Sequence, residues 1–126
     1  MQRLYEAYRD RVAFLFVYIR EAHPDDEWQL DVNQRDSIIH AQPKTLGGRR
    51  EIATGCTSAL KLTMPCLVDK MDNRVDDAYA AWPERLFIVD VDGRIVLAGG
   101  QGPFGFEPKH VRKWLRKNIG RPRKGG

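Results

Sequence analysis

The side chains with chemical potential in this sequence are few and separated: His23 two residues after Glu21, then His40, Cys56, Cys66 and Glu84. A histidine titrates near neutral pH and can therefore hold a proton and release it, which makes His23 and His40 the natural acid–base groups. The plain alternative for His23 is a loop histidine bonded to a backbone carbonyl, and for His40 an ordinary surface residue. The two cysteines form no Cys-x-x-Cys pair and share no Cys/His spacing that would hold zinc. A thiol reacts when it is partly exposed beside positive charge. Cys56, on the apolar side of a helix, reads as a core thiol, and Cys66, in a buried strand with no base beside it, reads as inert. His23-Pro24-Asp25-Asp26-Glu27 reads as a solvated acidic turn rather than a metal cluster. Gly99-Gly100-Gln101-Gly102 leads to Pro103 without the Lys-Ser/Thr of a phosphate cradle.

Those groups need elements to hold them. Pro83 to Gly100 contains two β-branched and aromatic runs around Asp92-Gly93, the strongest short-range hairpin signal. A proline before the first run has no N–H to waste on the ladder, and in the cis form it would bend the incoming chain sharply. Upstream, Leu4, Tyr5, Tyr8 and Val12 are spaced as in a short amphipathic helix. Phe14 to Ile19 is a continuous apolar run, the pattern of a core strand covered on both faces. His23 lies in the polar segment after it, and loops at the carboxyl ends of such strands are where open α/β sheets bind ligands. Residues 29–45 lack periodicity and read as an irregular excursion carrying His40.

A helix is expected from about residue 48 to 62, with Ile52, Ala53, Cys56, Ala59, Leu60 and Leu62 inward and Arg49, Arg50 and Lys61 outside. Pro65 to Asp69 reads as a second buried strand. Asp72 or Asn73 can cap a helix carrying Val75, Ala78, Tyr79 and Trp82. Glu107-Pro108 opens a last helix with Val111, Trp114, Leu115 and Ile119 inward, closed by Gly120. Helices alternating with short strands and ending in a hairpin fit an α/β layer of helices over one mixed sheet.

At 126 residues the chain reads as one domain over 1–119 with a basic, disordered tail over 120–126. A hydrophobic share of 42% and a charged share of 30% are those of a soluble globular protein. No apolar run approaches the ~18 residues of a membrane span and the first residues are not a secretory signal, so a cytoplasmic location is expected. The net charge of +4 gathers largely after residue 108. On the last helix the cations point to a solvated face whose charge suits the helix C-terminus, and no nucleic-acid partner is expected.

Several motifs in one order then resemble the iodothyronine deiodinase family: Phe14 to Arg20 followed by Glu21-Ala22-His23, Met71-Asp72-Asn73, Ala78 to Leu86, and Gly99-Gly100-Gln101-Gly102-Pro103. The resemblance runs over about residues 12–118. It implies a thioredoxin-like fold, in which the hairpin proline, here Pro83, stands beside the reactive thiol. It also implies reductive removal of iodine from thyroxine-like, iodinated phenol substrates by a selenocysteine or cysteine, with a thiol reductant as cosubstrate and no bound cofactor or metal. Carried over by position, His23 is the proton donor and Glu21 the residue that orients it. His40, Pro83 and Glu84 line the substrate, and Gln101 stands where some members have a basic residue. The family's cysteine before its strand proline is Met64 here. Cys66, two positions on, keeps the same strand face and is the possible resolving thiol.

The resemblance further places the reactive residue, and a central strand between the Phe14–Ile19 run and the hairpin, ahead of Met1. Without that strand two sheet edges are unpaired, each buried backbone group costing about 1–3 kcal/mol. The expectation is an enzyme that is inactive as this truncated chain, with a reason to form a homodimer. Two alternatives stand beside it: a generic peroxide- or disulfide-handling redoxin, and a non-catalytic thioredoxin-like binding module.

Overall fold

A computed structural model describes residues 1–21 and 43–123. His23, His40, the acidic turn and most of the irregular excursion lie outside the described residues. The elements are α1 (Gln2–Tyr8), β1 (Phe16–Tyr18), α2 (Leu46–Ala59), β2 (Cys66–Val68), α3 (Arg74–Tyr79), β3 (Phe87–Val89), β4 (Ile95–Ala98) and α4 (Pro108–Asn118). The architecture is mixed α/β. The chain divides into two compact units, one of Met1–Phe14 with Pro83–Gly126 and the other Leu15–Trp82. No helix among the described residues is long and apolar enough to cross a membrane.

The first unit is built on α4. Its sequence spacing is right: Val111 and Leu115 are buried, and they meet Leu4 and Tyr8 of α1 in one core to which Phe14, Leu86, Ile88, Leu97, Trp114 and Ile119 are added. The end of α4 is held from α1. Tyr8 Oη donates to the Gly120 carbonyl at 2.9 Å, and Arg11 donates to the carbonyls of Ile119 and Arg121 at 3.0 and 3.1 Å. These bonds satisfy acceptors that a helix end leaves open and put a cation where the helix dipole favours one. Gly120 closes the helix at φ 100, a left-handed position that glycine tolerates. Of the expected tail, residues 121–123 are described, and Arg123 pairs with Asp10 at 2.8 Å.

The hairpin forms as read. β3 and β4 are antiparallel, with Phe87 opposite Ala98 and Ile88 opposite Leu97, and an irregularity follows at Val89. Asp90 makes the turn, its Oδ1 accepting from the N–H groups of Asp92 and Arg94. The peptide before Pro83 is trans, however; the cis bond among the described residues is Gly102–Pro103.

In the second unit β1 and β2 run parallel, with Phe16 beside Cys66 and Tyr18 beside Val68. The expected single mixed sheet is therefore two two-stranded sheets among the described residues. Nor is β1 covered on both faces: Tyr18 is buried, Phe16 and Val17 are half-buried and Leu15 is exposed. The faces of a strand are covered by layers packed on the sheet rather than by the strand beside it, and an apolar run does not show that both layers are present.

The α2 face is also rotated from its reading. Thr45 caps the helix, its Oγ1 accepting from Gly48 N–H at 3.0 Å. Ala53 is buried as expected, but Arg49 is buried too and Leu60 is exposed. Counting apolar positions puts an arginine outside by default. Here the Arg49 guanidinium finds acceptors inside, and that offsets the cost of burying it.

The core of the first unit sets one expectation. Leu115→Ala should lower the unfolding free energy by about 2–5 kcal/mol in urea denaturation. A loss well under about 1 kcal/mol would place Leu115 outside the core.

Candidate functional site

Buried polar groups fix the turns of the second unit. At six residues α3 is too short to persist by its own hydrogen bonds. The expected caps do not serve it in the expected way. Asn73 takes the N-cap position in a left-handed conformation with no side-chain cap bond, and Asp72 turns to an exposed pair with Arg74 at 2.7 Å. That pair holds the Asp72 carboxyl below its usual range, the Arg74 hydrogen bond being the main cause. The cap is Asp69, at the end of β2. Its two oxygens accept from Val75 N–H at 3.1 Å and Asp76 N–H at 2.9 Å. Arg49 then ties down the β2–α3 turn by donating to the carbonyls of Asp69 and Lys70 and to Asn73 Oδ1. Among the described residues its Nε has no hydrogen-bond partner.

Glu21 follows β1, Cys66 opens β2 and Cys56 lies on α2. Glu21 and Cys66 each come within electrostatic reach of Cys56. Burial pushes the Cys56 thiol up, the Glu21 carboxylate raises it further and Cys66 adds a smaller push. Burial also raises Cys66. Both thiols are free and half-buried. A thiol held protonated is a poor nucleophile, so neither is set up to attack at neutral pH. Cys66 also sits in an open cleft of about 630 Å³ with Ala53 and Leu67, rimmed by the cations Arg50, Lys70 and Arg74.

Pro83, Glu84 and Gln101 belong to the other unit. The Glu84 carbonyl accepts from Gly102 N–H at 2.8 Å, and Arg85 Nε donates to the Gly99 carbonyl at 2.7 Å, so the segment before β3 and the glycine loop after β4 lie side by side. The Glu84 side chain lies against the bare Cα of Gly102, where a methyl would collide with its carboxylate. At Gly105 a methyl would collide with the backbone carbonyl of Gln101. The glycines there let chain pass close to chain. Glu84 and the Gln101–Gly102 peptide are thus brought together, as are Glu21, Cys56 and Cys66. His23 and His40 lie outside the described residues. Sequence reading missed Arg20, Arg49, Asp69 and Asp76, whose partners are distant in the chain; the one local signal was Asp69 ending an apolar run shortly before a helix.

Fold and site together define a mixed α/β chain that carries a carboxylate and a thiol at strand ends and a second thiol on α2. Comparison with known proteins gives the family. The iodothyronine deiodinase family model matches residues 1–119. The chain is 35% identical over 123 residues to thyroxine 5-deiodinase of Homo sapiens, covering 92% of this chain and 36% of that protein. It is 34% identical over 120 residues to human type II iodothyronine deiodinase, covering 94% and 44%. Against thyroxine 5-deiodinase of Sparus aurata it is 37% identical over 116 residues, covering 92% and 42%. The chain belongs to the iodothyronine deiodinase family. It spans less than half the length of these relatives.

The site gives two expectations. Because Glu21 raises Cys56, the alkylation rate of Cys56 in a Cys66→Ser background should reach its midpoint above the ordinary thiol value of 9.0, and Glu21→Gln should lower that midpoint. An unchanged midpoint would place Glu21 away from the thiol. In the glycine loop, Gly105→Ala meets rigid backbone and should cost about 1–3 kcal/mol in thermal unfolding. Gly102→Ala meets only a movable carboxylate and should cost under about 1 kcal/mol.

Proposed function

We propose that this chain forms the proton-handling and substrate-holding part of a thiol-dependent iodothyronine deiodinase built on a thioredoxin-like sheet. The family match over residues 1–119 carries the reading. On this reading the substrate is an iodinated phenol such as thyroxine. A thiolate or selenolate takes the iodine from the ring carbon, the carbon–iodine electron pair stays on the ring, and His23 delivers the proton that completes the new C–H bond. Glu21 orients His23. Pro83, Glu84, Gln101 and His40 hold the substrate. One reductant thiol then displaces iodide from the chalcogen to leave a mixed disulfide or selenenyl sulfide, and a second restores the nucleophile. Overall one aryl iodide and two thiols give the deiodinated ring, iodide, a proton and a disulfide.

Burial raises both thiols of the chain, which argues against either as the attacking group. The attacking chalcogenolate is then supplied from outside these 126 residues, together with a strand for the sheet. β1 pairs only with β2 and β3 only with β4 among the described strands, so each retains an edge that such a strand can use. Cys66, on the wall of the open cleft, can take the place of the first reductant thiol as resolving thiol, losing its proton as it displaces iodide from the chalcogen.

The test compares the 126-residue chain with a longer polypeptide that includes the family's reactive-residue segment, both given thyroxine and dithiothreitol. Iodide release is expected from the longer polypeptide alone, and His23→Ala should lower it about 100-fold or more with little change in melting temperature. Release that survives His23→Ala would remove the histidine from the mechanism. Peroxide reduction without iodide release would favour a generic redoxin.

A further inference from the structure

The α3 carboxylate of Asp76 is almost wholly withdrawn from solvent, and its two oxygens serve two different segments. Oδ2 accepts from Arg20 Nε at 2.9 Å, just past the end of β1. Oδ1 accepts from the backbone N–H of Trp82 at 2.9 Å, past the end of α3. The third side of the triangle is closed by the Arg20 guanidinium, 5.3 Å from the centroid of the Trp82 ring. Arg20 is covalently next to Glu21, and Trp82 is next to Pro83.

We propose that Arg20 and Asp76 are positioning residues for the deiodination reaction, their ion pair stacked on Trp82 fixing the segment that carries Glu21. The proposal rests on the function proposed above. Three features separate this triangle from ordinary packing. The Arg20 side chain is 45% exposed, so it fills no core. A guanidinium can donate in its plane to a carboxylate while laying its face on an indole, and no aliphatic or ammonium side chain does both. Anchoring Arg20 to α3 also decides where its neighbour goes. Glu21 is left near Cys56 of α2, close enough for its charge to be felt by the thiol.

The test has one arm without turnover and one with it. In the 126-residue chain with Cys66→Ser, the lowering of the Cys56 alkylation midpoint by Glu21→Gln should vanish in an Arg20→Ala background and return in part with Arg20→Lys, circular dichroism showing each variant folded. If Glu21→Gln has the same effect with and without Arg20, the pair does not position Glu21 and the proposal falls. In the longer polypeptide, Arg20→Ala and Asp76→Asn should each lower kcat about tenfold or more, with KM within about twofold. The double variant should be no worse than either single one, since both break the same pair. Unchanged kcat, or losses that multiply, would overturn the role in the reaction. If the wild-type polypeptide releases no iodide, the functional reading fails, and the alkylation arm still decides whether Arg20 and Asp76 place Glu21.

Discussion

Burial of three charged side chains around one short helix is the constraint on which the second unit depends. Asp69, Asp76 and Arg49 are each about 2% exposed. A charge taken out of water must be repaid by hydrogen bonds, and each of these spends them on backbone: Asp69 on the N–H groups that open α3, Asp76 on the N–H of Trp82, Arg49 on the carbonyls of Asp69 and Lys70. Removing one partner of such a buried charge typically costs about 3–5 kcal/mol. The exposed Asp72–Arg74 pair is a different object, its charges already solvated and its contribution to folding slight. The six-residue helix is held at its start by Asp69, and its own Asp76 ties it to Arg20 and to the N–H of Trp82.

That arrangement bears on the chemistry. The segment just before Glu21 is fixed by the Arg20–Asp76 pair, and the turn after β2 by Asp69 and Arg49. Burial and a nearby carboxylate keep Cys56 protonated, and burial does the same for Cys66. A thiol attacks as its thiolate in either role, on iodine or on an intermediate, so a raised pKa slows both.

The first unit solves its problem with backbone rather than charge. Tyr8 and Arg11 close the end of α4, and Asp90 closes the hairpin turn. Gly102 and Gly105 admit a neighbouring chain where any side chain would intrude, which is how Glu84 comes to lie on the glycine loop.

Local rules determined much of this protein from sequence. The hairpin around Asp92-Gly93, the α4 stripe of Val111 and Leu115, the Gly120 stop and the α1 pair Leu4 and Tyr8 all follow from periodicity and turn chemistry within a few residues, and the family motifs are likewise legible as strings. Tertiary structure alone decided the rest. Arg49 turned inward because acceptors twenty residues or more away were waiting for it. Asp69 joined Asp72 at the start of α3, taking the N–H groups of Val75 and Asp76 while Asp72 took that of Arg74, because a strand end can bring a carboxylate to a helix start as well as the adjoining loop can. The Arg20–Asp76 pair spans 56 positions, and no local pattern signals it. Among the described residues the strands pair as two small sheets, because pairing depends on which edges meet in space, and an apolar run does not report which strand will lie beside it.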